Sequence, residues 1–318
     1  MKKILVLTMG LFFSVVLLQA QNDTIYFMKN GLIVHQRSIL PTDVDSVIFY
    51  KPVITPNITI ETVTIPAGTF TMGSPESEVN HEIGETQFQV TLSAFNMSKY
   101  EITNTQYASF LNAKSIGSDG LYAAGTYPTE ILIYESSDTL VYGLHYDAGQ
   151  WFPVVGYENH PVINVTWFGA SEFATYASGN LPTEAQWEYA CRAGTTGPFN
   201  TGDCLSDTQA AYKWTFPYNT CINTNTINPD KTQVVGSYAA NAFGLYDMHG
   251  NVWEWCSDWY GTYPTTAQTN PTGVLTGSYR VYRGGSWGNL AQSCRSARRN
   301  GRNPDDSDFR TGFRLVLP

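Results

Sequence analysis

Twenty residues, Asn241 to Tyr260 (NAFGLYDMHGNVWEWCSDWY), constrain the fold of this chain more than any other stretch. Trp253, Trp255 and Trp259 stand there with Phe243, Tyr246 and Tyr260, and the carboxylates of Asp247, Glu254 and Asp258 lie among them. Aromatics of that size dominate the energetics of a core. A carboxylate buried among them is costly unless something pairs with it. Two readings meet that demand. In one, a core strand and turn has its carboxylates met by arginines. In the other, Asp247 and Glu254 join backbone carbonyls around a hard cation such as calcium, which takes oxygen ligands.

The arginines are concentrated at the end of the chain. Eight of the ten fall in the last forty residues: Arg280, Arg283, Arg295, Arg298, Arg299, Arg302, Arg310 and Arg314. Guanidinium groups bind carboxylates in a planar, two-point manner. Either they pair internally, with Asp305, Asp306, Asp308 and the acidic aromatic stretch, or they line a cleft for an anionic or peptide ligand. Net charge is −9, which argues against a general nucleic-acid binder. Only 14% of residues are charged and 27 are glycine, the balance of a turn-rich globular chain.

The first twenty residues read as a secretory signal peptide. Lys2 and Lys3 precede an apolar run from Ile4 to Leu18, and Ala20 offers a small residue for cleavage. The run is short for a membrane span, so we expect export to the periplasm, the cell surface or the medium. An exported chain can hold disulfides. Of five cysteines, Cys204 and Cys221 flank one loop and are the first pair expected, while Cys294 could reach Cys191 or Cys256. No zinc-type cluster is present.

Residues 21–56 form a small β-rich segment and linker. Runs at Thr24–Met28 and Leu32–His35 flank Asn30–Gly31, a hairpin signal, and Val47–Tyr50 offers a third strand. The main domain occupies 57–318. Caps mark three helices, after Thr103 (with Gln106), Thr166 and Thr183 (with Gln186). Between them, Ser115–Glu158 and Gly197–Asp230 lack periodicity, and long irregular segments in a compact domain often shape a site. Strands are expected near Tyr279–Arg283, Cys294–Arg299 and Gly312–Val316.

Seven segments in order carry a resemblance: GTFTMGS (68–74), KYEITNTQYASFLN (99–112), HPVINVTWFGASEFATY (160–176), LPTEAQWEYACRAG (181–194), NAFGLYDMHGNVWEW (241–255), YRGGSW (282–287) and CRSARRNGRNPDDSDFRTGFRLV (294–316). Together they resemble the formylglycine-generating enzymes, the sulfatase-modifying factor family. The resemblance implies an irregular α/β (α+β) domain, a variant of the C-type lectin fold, here with a small N-terminal β appendage. It implies calcium held by the side chains of Asp247 and Glu254 and the carbonyls of Gly250 and Val252. A second calcium site would fall in Ala211–Asn228, where Ala211 replaces an asparagine ligand and Asn225 and Asn228 are the substitutes at hand. It also implies an oxygen-dependent oxidase that converts a sulfatase cysteine, in a Cys-x-Pro-x-Arg segment, to formylglycine with copper held by two cysteines. Here the sequence departs from the pattern. Gly288 or Asn289 stands where the first cysteine belongs, leaving Cys294, and one thiolate cannot supply a two-thiolate copper site. The expectation is therefore a binding or surface-assembly module that takes a peptide or protein partner, with Ser286, Trp287, Arg295 and Arg298 lining its cleft. The alternative is an active oxidase working on a sulfatase through Cys294.

Overall fold

Threonine caps set the helices. Thr103 Oγ1 accepts from Gln106 N while Gln106 Oε1 accepts from Thr103 N, so the two reciprocate at the start of α1 (Asn104–Ala113). Thr166 Oγ1 accepts from Gly169 N at the head of α2 (Trp167–Tyr176). Thr183 and Gln186 repeat the reciprocal cap at α3 (Glu184–Arg192), which ends on left-handed Ala193 and Gly194.

These features come from a computed structural model that describes residues 58–135 and 142–318, and before them the backbone of five short strands. The chain divides into two compact units, Met1–Thr55 and Pro56–Pro318. In the first, β1 (Leu7–Met9) and β2 (Phe12–Ser14) pair antiparallel. β3 (Tyr26–Lys29) is flanked by β4 (Leu32–Val34) and β5 (Ser46–Ile48), while Asn30 and Gly31, the expected turn, lie outside the described residues. The rest of the expected signal segment and the linker lie outside the described residues.

In the second unit, β6 (Thr62–Ile65), β7 (Gly68–Met72), β8 (Phe88–Leu92) and β9 (Phe95–Ser98) precede α1. The hairpin β10 (Leu144–Asp147) and β11 (Gln150–Pro153) lies between α1 and α2. After α3 come β12 (Trp253–Trp259), β13 (Gln268–Thr269), β14 (Arg280–Arg283), β15 (Arg299–Arg302), β16 (Thr311–Gly312) and β17 (Val316–Leu317). Two expected strands are displaced. Cys294 closes a 3₁₀ turn, Ala291–Cys294, and the strand begins only at Arg299. The last expected strand is split in two, β16 and β17, which join different sheets.

β12 is the spine. It pairs antiparallel with β14 and parallel with β16, in a sheet ordered β15-β14-β12-β16. Strand side chains alternate between faces. Trp255 therefore joins the core of Tyr107, Phe110, Phe173 and Phe313, while Cys256 packs with Trp187, Ala190 and Met248 against the opposite face. Glu254 and Asp258 share the face of Cys256 and are turned toward α3. Among the described residues, no helix is long and apolar enough to cross a membrane.

Candidate functional site

The face of β12 turned toward α3 is a buried ionic network. Glu254 lies wholly inside, accepting from Arg314 Nε (2.7 Å) and Nη2 (2.8 Å) and from Trp187 Nε1 (2.7 Å). α3 contributes Glu184, bound at two points by Arg299, and Glu188, which meets Arg192 and Arg283. Burial alone would push the Glu184 carboxyl up, but Arg299 and Arg283 outweigh it and hold it below the usual range. A third group lies at the polar loop after β7. There Arg295 reaches Glu85 at 2.8 Å through both terminal nitrogens and also holds Glu78, and Arg298 pairs with Glu82.

Asp247 stands apart from these pairs. Its Oδ2 accepts from Gly236 N, but its buried Oδ1 has no hydrogen-bond partner. Burial pushes its carboxyl up to about 6, and the nearby Glu254 adds to the rise. Glu101, which sequence reading missed, faces the same spot. Burial first, then the charges of Asp247 and Glu254, drive it well above the carboxylate range, although Asn251 Nδ2 donates to it at 2.7 Å. Three carboxyl groups thus meet one cation, Arg314. Asp247, Gly250 and Asn251 all take left-handed backbone within five residues. A side chain at Gly250 would put its Cβ 2.1 Å from Ala211 O. Strained backbone of this kind persists where surrounding structure over-determines it, and it clusters at ligand clamps.

The calcium ligand set implied by the resemblance was Asp247, Gly250, Val252 and Glu254. The surplus negative charge and the orphaned Asp247 oxygen fit a cation there. Glu254 departs from the expected role, because Arg314 already neutralises it. Among the described residues, no group of three or more His, Cys, Asp or Glu side chains is disposed to hold a metal ion, so any cation would lean on backbone carbonyls. In the second expected segment, Ala211 is buried with its carbonyl bound by Asn251 N, and Asn228 Oδ1 accepts from Thr215. Asn225 donates its backbone N–H to Asp207.

The thiols do not fit copper. Cys204 and Cys221 form the expected disulfide. Cys191, Cys256 and Cys294 are free and wholly buried. Burial raises the Cys294 thiol far above its ordinary range and the Cys191 thiol to about 12. Cys191 is near enough for its charge to act on Cys294, yet neither opens to solvent. His249 stands between them. Its Nδ1–H donates to Cys294 O (2.7 Å), its Nε2 accepts from Asn200 N (3.0 Å), and burial lowers it to about 4. It is a hydrogen-bonded turn histidine with no position left for a ligand. A neutral buried thiol is neither nucleophile nor metal ligand.

The expected cleft residues separate. Arg295 is 1% exposed and locked to Glu78 and Glu85, so it lines no cleft. Arg298, one turn on, answers Glu82. Ser286 and Trp287 lie elsewhere, beside Asn289. Asn289 Oδ1 accepts from Trp253 Nε1 (2.8 Å) and from the Ser286 hydroxyl. Trp287 packs on Phe309 at 5.8 Å and edge-on to Tyr142 at 6.5 Å, and Arg310, paired with Asp308, borders Gly288. The result is a half-buried aromatic surface bordered by the Arg310 guanidinium, while Ser286, wholly buried, lines no cleft.

Comparison with known proteins agrees with this architecture. The family model for the sulfatase-modifying factor enzyme 1-like domain matches residues 52–318. The formylglycine-generating enzyme of Mus musculus is 32% identical over 278 residues, covering 80% of this chain and 74% of that protein. The formylglycine-generating enzyme of Streptomyces coelicolor is 33% identical, covering 83% and 91% respectively. A serine/threonine-protein kinase, pkn1 of Chlamydia caviae, is 35% identical, but the match spans only 38% of its length. Among solved structures, PvdO from Pseudomonas aeruginosa superposes with a TM-score of 0.62 at 27% identity, covering 82% of this chain and 95% of that one. Treponema denticola variable protein 1 shares the fold at 21% identity and a TM-score of 0.58. With motif order, sheet topology and family match in agreement, this chain belongs to the sulfatase-modifying factor family, in its formylglycine-generating-enzyme-like fold.

Proposed function

We propose that this chain is an exported sulfatase-modifying-factor protein that binds a peptide segment of a protein partner and does not carry out the family's cysteine oxidation. The observation that carries this reading is Asn289. It or Gly288 stands where the resemblance expects a catalytic thiol, its amide oxygen is held by Trp253 and Ser286, and the remaining thiol of that segment, Cys294, is sealed in the interior. The Trp287–Phe309 pair offers the flat, rigid apolar area that anchors peptide contacts. The test is incubation with copper, oxygen and a Cys-x-Pro-x-Arg peptide, read by mass. The peptide should return unchanged, while Trp287→Ala should weaken capture of the partner. A mass change that disappears in Cys294→Ser would overturn the reading.

The second reading is an active formylglycine-generating oxidase acting on a sulfatase. It is favoured by the match over nine-tenths of the Streptomyces enzyme, and the same peptide assay decides between the two.

Calcium at Asp247 is part of the proposal. A divalent ion would cancel the charge surplus of Glu101 and Asp247 and meet the orphaned Oδ1. Its role would be to hold the 247–252 turn, which supports Trp253 and through it Asn289. Chelation should lower the melting temperature by removing a ligand of the native state, and Asp247→Asn should abolish the difference. An identical melt with and without chelator would remove calcium from the reading.

A further inference from the structure

The arginines near the end of the chain were read as either internally paired or ligand-facing, and seven of the eight have carboxylate partners. The eighth is Arg280, at the start of β14. Among the described residues, no carboxylate lies within ion-pair distance of it. Its guanidinium carbon lies 3.7 Å from the ring centroid of Trp167 and 3.5 Å from that of Trp259. Both flat faces are therefore covered by indoles, an arrangement that attracts a cation but leaves its in-plane hydrogen-bond donors to find partners elsewhere. Nη1 donates to Ser257 O at 2.6 Å, and Nε is buried with no partner at all. Asp258, whose charge reaches Arg280, turns its Oδ2 instead to Glu184 N and the Ser257 hydroxyl.

Arg280 also borders a cavity of about 240 Å³ whose walls include Ser171, Thr175, Asn180 and Ser257. Ser171 and Asn180 bring a hydroxyl and an amide, both able to donate. A guanidinium clamped on both faces can be approached only along its edge, which is the approach a planar carboxylate makes when it accepts two parallel N–H bonds. We propose that this cavity is a binding site for a carboxylate group, recognised by the edge of Arg280 with Ser171 and Asn180 as further donors. Burial lowers Arg280 to about 10, and the charges of Tyr127 and Asp258 offset it only in part. The site is separate from the Trp287 surface. Trp253, which supports Asn289, and Trp259, which covers Arg280, are the two ends of β12, roughly 20 Å apart at about 3.3 Å per residue.

A carboxylate can come from a small acid or from the free C-terminus of a peptide, and the test separates them. The full chain is titrated at low salt with acetate, with a tripeptide bearing a free C-terminus, and with the same tripeptide as its C-terminal amide. Binding is followed by calorimetry and by tryptophan fluorescence, since Trp167 and Trp259 flank the site. Acetate should bind saturably. The free tripeptide should bind at least as well if chain ends are the source, or more than tenfold worse if small acids are, and the amide should not bind. Arg280→Lys keeps the charge but loses the two-point edge and should weaken binding at least tenfold. Ser171→Glu leaves Arg280 and its stack in place, sets a negative charge on the cavity wall, and should abolish binding in a protein that melts as the wild type does. Absence of saturable acetate and tripeptide binding to the wild type, or binding that survives Ser171→Glu, would overturn the proposal.

Discussion

Single residues decide both the charge balance and the chemistry of this molecule. Arg314 is the one cation among Glu254, Glu101 and Asp247, and it is wholly buried. Removing one partner of a buried pair leaves the other charge uncompensated, at a cost of about 3–5 kcal/mol. Arg314→Met, which keeps most of the side-chain volume, should lower stability by that order in urea unfolding. Added calcium should recover part of the loss if it occupies the Asp247 turn. A loss below about 1 kcal/mol would mean that packing, and not the ion pair with Arg314, holds this part of the core. Asn289 illustrates what sequence could say at this scale. The missing sulfur is visible in the string of letters, because a thiol is present at a position or it is not. That the replacement amide is fastened to Trp253, 36 residues away, is not visible there, since no local period links the two positions. Glu101 was missed for the same reason. It stands two residues before the Thr103 cap with no local partner to single it out, and only packing brings it against Asp247.

Among the elements, the helix caps were the most legible part, because a cap is a local bargain between a threonine and N–H groups two or three residues on. The irregular segments were the least legible, because distant partners hold them. α3 carries a consequence for pH. Its first backbone N–H, from Glu184, donates to Asp258 at 3.0 Å, yet burial, with Glu184 adding to it, pushes the Asp258 carboxyl up to about 7. An unfolded aspartate ionises near 4. Between about pH 4 and pH 7 the unfolded chain therefore releases a proton that the folded chain keeps. Stability contributed by Asp258 is fully present below pH 4 and is lost as pH rises through 7, on the order of 4 kcal/mol across the window. Asp258→Asn retains an oxygen for Glu184 N and Ser257 but cannot ionise. Its unfolding free energy, measured from pH 4 to 8, should show a flatter decline than the wild type. Parallel profiles would place the titration on another group.

At the scale of the whole molecule, regular structure is sparse, and ion pairs between distant segments take over part of its role. The clearest case is the loop around Glu78–Glu85. Its residues are polar and stand between two strands, and nothing in its composition points 210 residues ahead. In the fold, Glu85 is wholly buried and accepts from Ser74 Oγ and both terminal nitrogens of Arg295, while Arg295 also donates to Asn80 O. The Glu85 carboxyl ends below its usual range because Arg295 and Ser74 outweigh the effect of burial. The loop between β7 and β8 is thus tied to the C-terminal arginines, through Arg295 above all and also through Arg298 and Arg299. Arg295→Met should therefore act over a distance. It leaves Glu85 and Glu78 without their cation, at about 3–5 kcal/mol, which for a domain of this size lowers the melting temperature by roughly 6–15 °C. Limited proteolysis should cut first within residues 76–86, ahead of any site in α2 or α3, because opening there then breaks only the partly exposed Arg298–Glu82 pair. The double variant Arg295→Met/Glu85→Gln should regain more than half of the lost stability, since most of the cost lies in the stranded carboxylate rather than in the missing contact. If the double variant is as unstable as the single one, the loop is held by packing and the ion pair is incidental to it.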